Sequence, residues 1–407
     1  MKAIQSIYLC YVLLCGIGAL AQASESAPPT PAPEQKSAAE PLPPYEFPFT
    51  NGLYASAAGY LSTKHVSLPC QKTVLLNVPG ICDRFPVSAV IQESSAPLVV
   101  ILLGIDGRPD EDFNMLWAAW YAAAGYHVLR FESTFTQDFN LRTHHGVTGN
   151  MWAESELAAK IVAAFVSQSC INGRVSKIGV VGMSYGGIEA LMLGALASEK
   201  KLPFEIAAIQ SYSPPISLQH SAAIVDGWHA ETQGKYTLVE LLALRKHVPN
   251  RDCPDSPICD GMLKAAVAAS FRQPLPALIA YCDKEYCLHQ LPTGDEFDDD
   301  YVRADHASRW TFIKFAYGMS YPYWMRKLNA PNLDVLVNSA NLSALQSHQP
   351  AGSEIILAED DPLDSPADMQ AFKAHSAGKP VTLLPHGGHL GYINEPWTRA
   401  KLLTLFK

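Results

Sequence analysis

The sequence predicts an α/β domain, doubly wound about a mostly parallel sheet and interrupted by a helical insertion. Three observations carry this. Strand-like apolar runs alternate with helix-spaced segments from Leu98 to Ile209, and again from Glu354 to the C-terminal end. The run Leu98 to Leu103 is continuously apolar, as strands covered on both faces are. Between Ser213 and Ser353 the alternation stops, and helix-like pieces replace it.

Taken in order, residues 1–23 read as a secretory signal. Lys2 is a short basic region, Ile4 to Leu20 an apolar stretch, and Ala21-Gln22-Ala23 a small-residue cleavage site followed by polar Ser24-Glu25-Ser26. The expected location is therefore secreted or periplasmic, with no stable membrane span after cleavage. Residues 24–44 are rich in Pro and Ala without apolar periodicity, the composition of a disordered tether.

The first part of the core spans 45–212. Thr73 to Val78 and Phe85 to Ile91 are short β runs around a Pro79-Gly80 turn, expected as an antiparallel sheet edge. Leu98 to Leu103 is a strand, Phe113 to Ala124 a helix ending at Gly125, and Tyr126 to Phe131 the next strand. Trp152 to Val166 repeats Leu157, Ile161 and Phe165 at helical spacing. Ile178 to Val181 and Glu205 to Ile209 are strands, with a helix from Ile188 to Leu196 between them.

The insertion, 213–353, holds helix-like pieces at Leu238 to Arg245, Met262 to Phe271 and Tyr301 to Phe315. The second part of the core, 354–407, has strands at Glu354 to Leu357 and Val381 to Leu384. Helices are expected at Ala367 to His375 and Trp397 to Phe406.

The chain has 407 residues, 48% of them apolar, ample for a large core. Without the first 23 residues it keeps 29 basic and 39 acidic side chains, a net charge of −10. No basic cluster is present, which argues against nucleic acid as a partner. Beyond Cys10 and Cys15 of the signal, seven cysteines remain. Cys70 with Cys82, Cys253 with Cys259, and Cys282 with Cys287 form close pairs, and Cys170 stands alone. In an exported chain three local disulfides are expected. No C-x-x-C occurs, and neither a metal nor a cofactor is expected.

The chemistry concentrates at Lys177 to Gly187, KIGVVGMSYGG. An apolar strand meets Gly182-Met183-Ser184-Tyr185-Gly186 and then a helix, the G-x-S-x-G nucleophile elbow. A serine hydroxyl needs a base, and the base needs a carboxylate to fix its tautomer. Both are available on loops after later strands. Glu359-Asp360-Asp361-Pro362 follows Glu354 to Leu357, and His386-Gly387-Gly388-His389 follows Val381 to Leu384. His389, flanked by glycine, is preferred over His386, and Asp361 over Asp360 and Glu359. Backbone N–H donors for an oxyanion would come from Tyr185, next to the serine, and from Ile105 in the loop Gly104 to Gly107, with Gly104 the neighbouring alternative.

With GMSYGG at 182–187, EDDP at 359–362 and HGGHLGYI at 386–393, the chain resembles the α/β-hydrolase superfamily, most nearly its abhydrolase-domain esterase branch. A weaker echo is Glu296-Phe297-Asp298-Asp299. The resemblance implies Ser184 as nucleophile, Asp361 as orienting acid, His389 as base, and carboxylic esters or lipids as substrates. Two features depart from it. The oxyanion loop reads Leu103-Gly104 where the branch has His-Gly, losing an imidazole that orders the loop. The fourth strand ends Phe131-Glu132-Ser133, without the usual arginine-glycine pair.

Other stretches read as structural. Arg142-Thr143-His144-His145-Gly146 is a polar loop, since adjacent histidines point apart. Trp310, Phe312, Phe315, Tyr317, Tyr321, Tyr323 and Trp324 are expected mainly to pack the insertion, with the wall of an acyl pocket as the alternative. Gly318-Met319-Ser320-Tyr321 imitates the elbow but follows no strand and runs into Pro322.

The function expected is an exported serine hydrolase cleaving small-molecule esters or lipid-like substrates. The alternatives are a peptidase or amidase with the same triad, or a hydrolase-like binding protein whose site has decayed.

Overall fold

The structure, a computed structural model, describes residues 41–61, 63, 65–168, 171–237, 239–241, 244, 257–293, 299–330, 332 and 341–407. The expected signal, most of the tether, Cys170, the Cys253–Cys259 pairing and most of Glu296 to Asp299 lie outside them, as does half of the helix expected at Leu238 to Arg245. Among the described residues no helix is long and apolar enough to cross a membrane.

Eight strands form one sheet in the order β1-β2-β4-β3-β5-β6-β7-β8. They are β1 (Lys72–Val78), β2 (Cys82–Val90), β3 (Ala96–Leu102), β4 (His127–Arg130), β5 (Val175–Met183), β6 (Ile206–Tyr212), β7 (Glu354–Ala358) and β8 (Val381–Leu384). β2 is antiparallel to β1 and to β4, and every other pair is parallel. This is the strand order of the α/β-hydrolase fold, with the antiparallel edge where the Pro79-Gly80 turn places it.

The central strand shows why the sheet sits between two helical layers. Leu98, Val100 and Leu102 of β3 face one core cluster, while Val99, Ile101 and Leu103 face the other. Side chains alternate along a strand, so a continuous apolar run covers both faces. On the first face pack Leu157, Ile161 and Phe165 of one helix (Met151–Ser167) and Ile188 and Leu191 of another (Tyr185–Ser198). On the second pack Trp117 and Tyr121 of the helix Asp112–Ala123.

Two helices of the core were not foreseen, nor were Leu218–Thr232 and Leu275–Glu285 in the insertion. Gly52–Leu61 precedes the sheet, and Gln137–Thr143 follows β4, capped by the Thr136 hydroxyl accepting from Phe139 N–H. Between β6 and β7 the chain is helical: Leu218–Thr232, Pro257–Arg272, Leu275–Glu285, Asp300–Ala307, Phe312–Phe315 and Tyr321–Leu328. The continuous helix expected from Tyr301 to Phe315 is broken, because the Thr311 hydroxyl caps a new start by accepting from Lys314 N–H.

Neither disulfide expected among the described cysteines forms, and Cys70, Cys82, Cys282 and Cys287 are all free thiols. Register explains the first case. Lys72 pairs with Ala89 and Val78 with Cys82, so Cys70 lies beyond the far end of the hairpin from Cys82. Six strand steps separate those ends by about 20 Å, against a Cα span of roughly 6 Å in a disulfide. In the second case Cys282 is buried within its helix, whereas Cys287 is exposed past the helix end at φ 49°.

Candidate active site

Ser184 closes β5 and caps the helix Tyr185–Ser198, with φ 54° and ψ −121°. A non-glycine residue there carries roughly 1–3 kcal/mol of strain. The surroundings enforce it. Ser184 N–H donates to Tyr212 O at 2.9 Å, and the Ser184 carbonyl accepts from Gly187 N–H at 2.8 Å. Glycine is required at 186 because a Cβ would fall 2.5 Å from the Leu102 carbonyl. The elbow therefore rests directly on β3.

The loops after β7 and β8 bring two of the singled-out residues to this serine. Ser184 Oγ lies 2.9 Å from His389 Nε2, and His389 Nδ1 lies 2.8 Å from Asp361 Oδ2. All three are buried. A carboxylate only accepts, so the imidazole carries its proton on Nδ1 and presents an unprotonated Nε2 to the hydroxyl. The other Asp361 oxygen accepts from Leu363 N–H at 2.9 Å. Asp364 is pushed well above the usual carboxylate range by burial and by the charge of Asp361.

The neighbours of each choice do other work. Asp360 Oδ1 accepts from Gly388 N–H at 2.8 Å and so braces the histidine loop. Glu359 pairs with Lys373 at 2.8 Å. His386 is 4.0 Å from Asp360, and its carbonyl accepts from the Tyr45 hydroxyl. The unforeseen helix Gly52–Leu61 supplies a second brace: His389 N–H donates to Ser56 Oγ at 2.7 Å, and that hydroxyl donates to Gly52 O. No sequence pattern marks Ser56, since it meets His389 only through the tertiary fold.

Ile105 and Tyr185 flank the serine. Gly104 to Gly107 is a turn closed by Gly107 N–H to Gly104 O at 2.9 Å, which leaves the Ile105 amide uncommitted to the turn. A Cβ on Gly104 would lie 3.5 Å from Ser184 Cβ, so the turn packs against the nucleophile position. Tyr185 opens its helix, where an N–H has no intrahelical acceptor.

Two cavities meet at Ser184, sharing Ile105, Phe271 and Leu363. The smaller, about 810 Å³ with its open mouth, is walled by Phe135, Val225, Phe312, Phe315, Tyr317 and Tyr321. Four of the aromatics expected mainly to pack the insertion thus line a pocket, the alternative role. The larger, about 1690 Å³, runs between Leu241, Leu244, Val267 and Ile393 toward Asp106 and Glu111. Burial pushes the Asp106 carboxyl up to about 6, Arg108 opposing it, and that of Glu111 up to about 8. Phe271 stands over the imidazole with ring centroids 5.9 Å apart.

The histidines of Arg142 to Gly146 do point apart. His144 pairs with Glu285 at 3.0 Å, while His145 is driven down to about 4 by burial and meets Thr143 Oγ1. Gly318 to Ser320 belongs to a single π turn and not to an elbow. Among the described residues no group of three His, Cys, Asp or Glu side chains could hold a metal ion.

No protein-family model matches the chain, and no curated protein matches it. Solved structures similar to it include an esterase of Pyrococcus furiosus, 16% identical over 85% of this chain and 90% of that one, TM-score 0.41. A hyperthermophilic esterase of Pyrobaculum calidifontis is 14% identical over 87% and 89%, TM-score 0.45. The α/β hydrolase GrgF of a Penicillium species is 15% identical over 84% and 98%, TM-score 0.45.

Proposed function

We propose that this chain is a serine hydrolase that cleaves carboxylic esters through an acyl-enzyme. The observation that carries the reading is the hydrogen-bonded chain Ser184 Oγ, His389 Nε2, His389 Nδ1, Asp361 Oδ2, at 2.9 and 2.8 Å. In this reading Ser184 Oγ attacks the ester carbonyl carbon as His389 Nε2 takes its proton. The displaced π pair resides on the carbonyl oxygen, where the N–H groups of Tyr185 and Ile105 stabilise it. Collapse breaks the ester C–O bond, and His389 returns the proton to the leaving alkoxide. Water, deprotonated by the same imidazole, then attacks the acyl carbon and releases the acid with Ser184 restored.

Two largely apolar cavities meeting at one hydroxyl suit a substrate with an apolar arm on each side of the scissile carbonyl. We extend the proposal to export: the secreted chain should begin at Ser24, which N-terminal sequencing would read.

The test is labelling by a fluorophosphonate probe. Wild type should label and Ser184→Ala should not, with both retaining the same melting temperature. Equal labelling of the two would sink the assignment.

A further inference from the structure

Beneath the elbow lies a buried polar chain that the proposed chemistry does not use. Glu154 and Glu189 face each other across the Thr134 hydroxyl, and all three are essentially inaccessible to solvent. Thr134 Oγ1 is 2.8 Å from Glu154 Oε2 and 2.7 Å from Glu189 Oε1. One hydroxyl has one hydrogen, so it can donate to only one of the two carboxyls. The other contact needs a proton brought by the carboxyl itself. Burial raises the Glu154 carboxyl too, but Glu154 accepts from the Tyr185 hydroxyl at 2.6 Å and from Gly149 N–H at 2.6 Å, bonds that favour its charged form. Among the described residues Glu189 has one hydrogen-bond partner, Thr134, and burial pushes it up to about 8, with the Glu154 charge second. The proton therefore sits on Glu189, which donates to Thr134, which donates to Glu154.

A buried carboxyl pair costs stability that apolar side chains of the same volume would not. What it provides here is geometry. Through Glu154 it fixes the Tyr185 phenol, whose ring is also packed by Phe135 with centroids 5.5 Å apart. Through Thr134 it fixes the segment after β4, and the preceding residue, Ser133, donates its N–H to Gly107 O at 2.9 Å. Gly107 closes the turn that carries Ile105. Asn140 ties the same segment down, its side-chain amide donating to Thr134 O at 3.0 Å. Both backbone donors flanking Ser184 are thereby bolted to one frame, in a chain that lacks the His-Gly start of the oxyanion loop.

We propose that the Glu154–Thr134–Glu189 chain, holding one proton between two carboxyls, is a positioning device for the oxyanion donors Ile105 and Tyr185. It rests on the serine-hydrolase reading above. The titratable groups that face it from packed elements are the Tyr185 phenol, the Tyr321 phenol on the π-turn side, and the Cys282 thiol from Leu275–Glu285. All are acids, so raising the pH adds only negative charge around the pair. Loss of the shared proton leaves Thr134 able to bond one carboxylate and forces two buried charges apart.

The test uses the full chain and a p-nitrophenyl ester that wild type turns over. Thr134→Val deletes the bridging hydroxyl at nearly constant volume. It should lower kcat by about 10- to 100-fold with KM little changed, because oxyanion contacts form in the transition state. Thr134→Ser, which keeps the hydroxyl, should recover most of that loss. Glu189→Gln keeps a donor toward Thr134 but cannot ionise, so the decline of kcat above pH about 8 should disappear from its profile. A folded Thr134→Val with wild-type kcat, or a Glu189→Gln profile with the wild-type alkaline limb, would overturn the proposal while leaving the serine-hydrolase reading intact. Absence of any Ser184-dependent turnover in wild type would overturn both.

Discussion

Gly388→Ala tests how the histidine loop is held. Gly388 has φ 55°, and a Cβ there would fall 2.6 Å from Ser56 Oγ and 2.9 Å from the Gly52 carbonyl carbon, with the carbonyl oxygen nearer still. The obstruction includes backbone at the start of a helix, which cannot swing away as a long side chain can. Relieving it to ordinary contact near 3.5 Å requires roughly 1 to 1.5 Å of relative movement. The same contact surface carries the His389 N–H to Ser56 bond and lies beside the Gly388 N–H to Asp360 bond. A displacement of that size at the imidazole costs on the order of 100-fold in rate. The left-handed backbone adds roughly 1–2 kcal/mol of instability. We therefore expect kcat/KM for an activated ester to fall about 100-fold and the melting temperature to drop by several degrees. Steady-state kinetics and thermal melts read the two together. A variant within twofold of wild-type activity would show that His389 is not held by this loop contact.

The carboxylates of the acid loop should separate sharply. Asp361→Asn should lower kcat by roughly 10³- to 10⁴-fold by spoiling the imidazole tautomer, whereas Asp360→Asn, still able to accept from Gly388, should stay within about tenfold. Equal losses would refute the assignment. Stability should fall with rising pH through the Glu189 carboxyl. Its folded pKa, about 8, exceeds the ordinary 4.5, so its contribution is complete below about 4.5 and is lost as the pH climbs to 8. That difference is at most roughly 5 kcal/mol, and Glu189→Gln should flatten the slope of melting temperature against pH. Parallel slopes would count against a buried neutral Glu189. Finally, alkylation of denatured, unreduced protein should label Cys70, Cys82, Cys282 and Cys287. Recovery of a peptide linking Cys70 to Cys82 would contradict the hairpin register.

The fold was legible because its elements carry one-dimensional signatures. The runs at β3 and β5 are apolar on both faces, and the helix Met151–Ser167 keeps apolar residues at helical spacing. Ser184, Asp361 and His389 were legible because each follows the carboxyl end of a strand on the same edge of the sheet, so chain order and strand direction bring them together. What escaped was set by packing. The helix Gly52–Leu61 is rich in alanine and glycine and has little amphipathic pattern, yet it supplies Ser56. The close cysteine spacings suggested bridges, but spacing says nothing about register or helix phase. The aromatic stretch at 310–324 left packing and pocket wall as alternatives, because sequence cannot distinguish a side chain filling a core from one lining its edge.

The same division orders the site. Every group that touches Ser184 along the proton path hangs on the sheet or on loops braced by it. The walls of the smaller cavity come mainly from helices between β6 and β7, through Val225, Phe312, Phe315, Tyr317 and Tyr321. Phe271 joins the two sets, lying over His389 and lining both cavities. In the proposed reaction, substitutions at Phe312 or Phe315 would change which ester arm is accepted while leaving the proton path in place. Substitutions at Phe271 would disturb both, because the ring that shapes the arms also shields the imidazole. Selectivity and rate are thus separable at Phe312 and Phe315 but not at Phe271, whose ring lies against the imidazole.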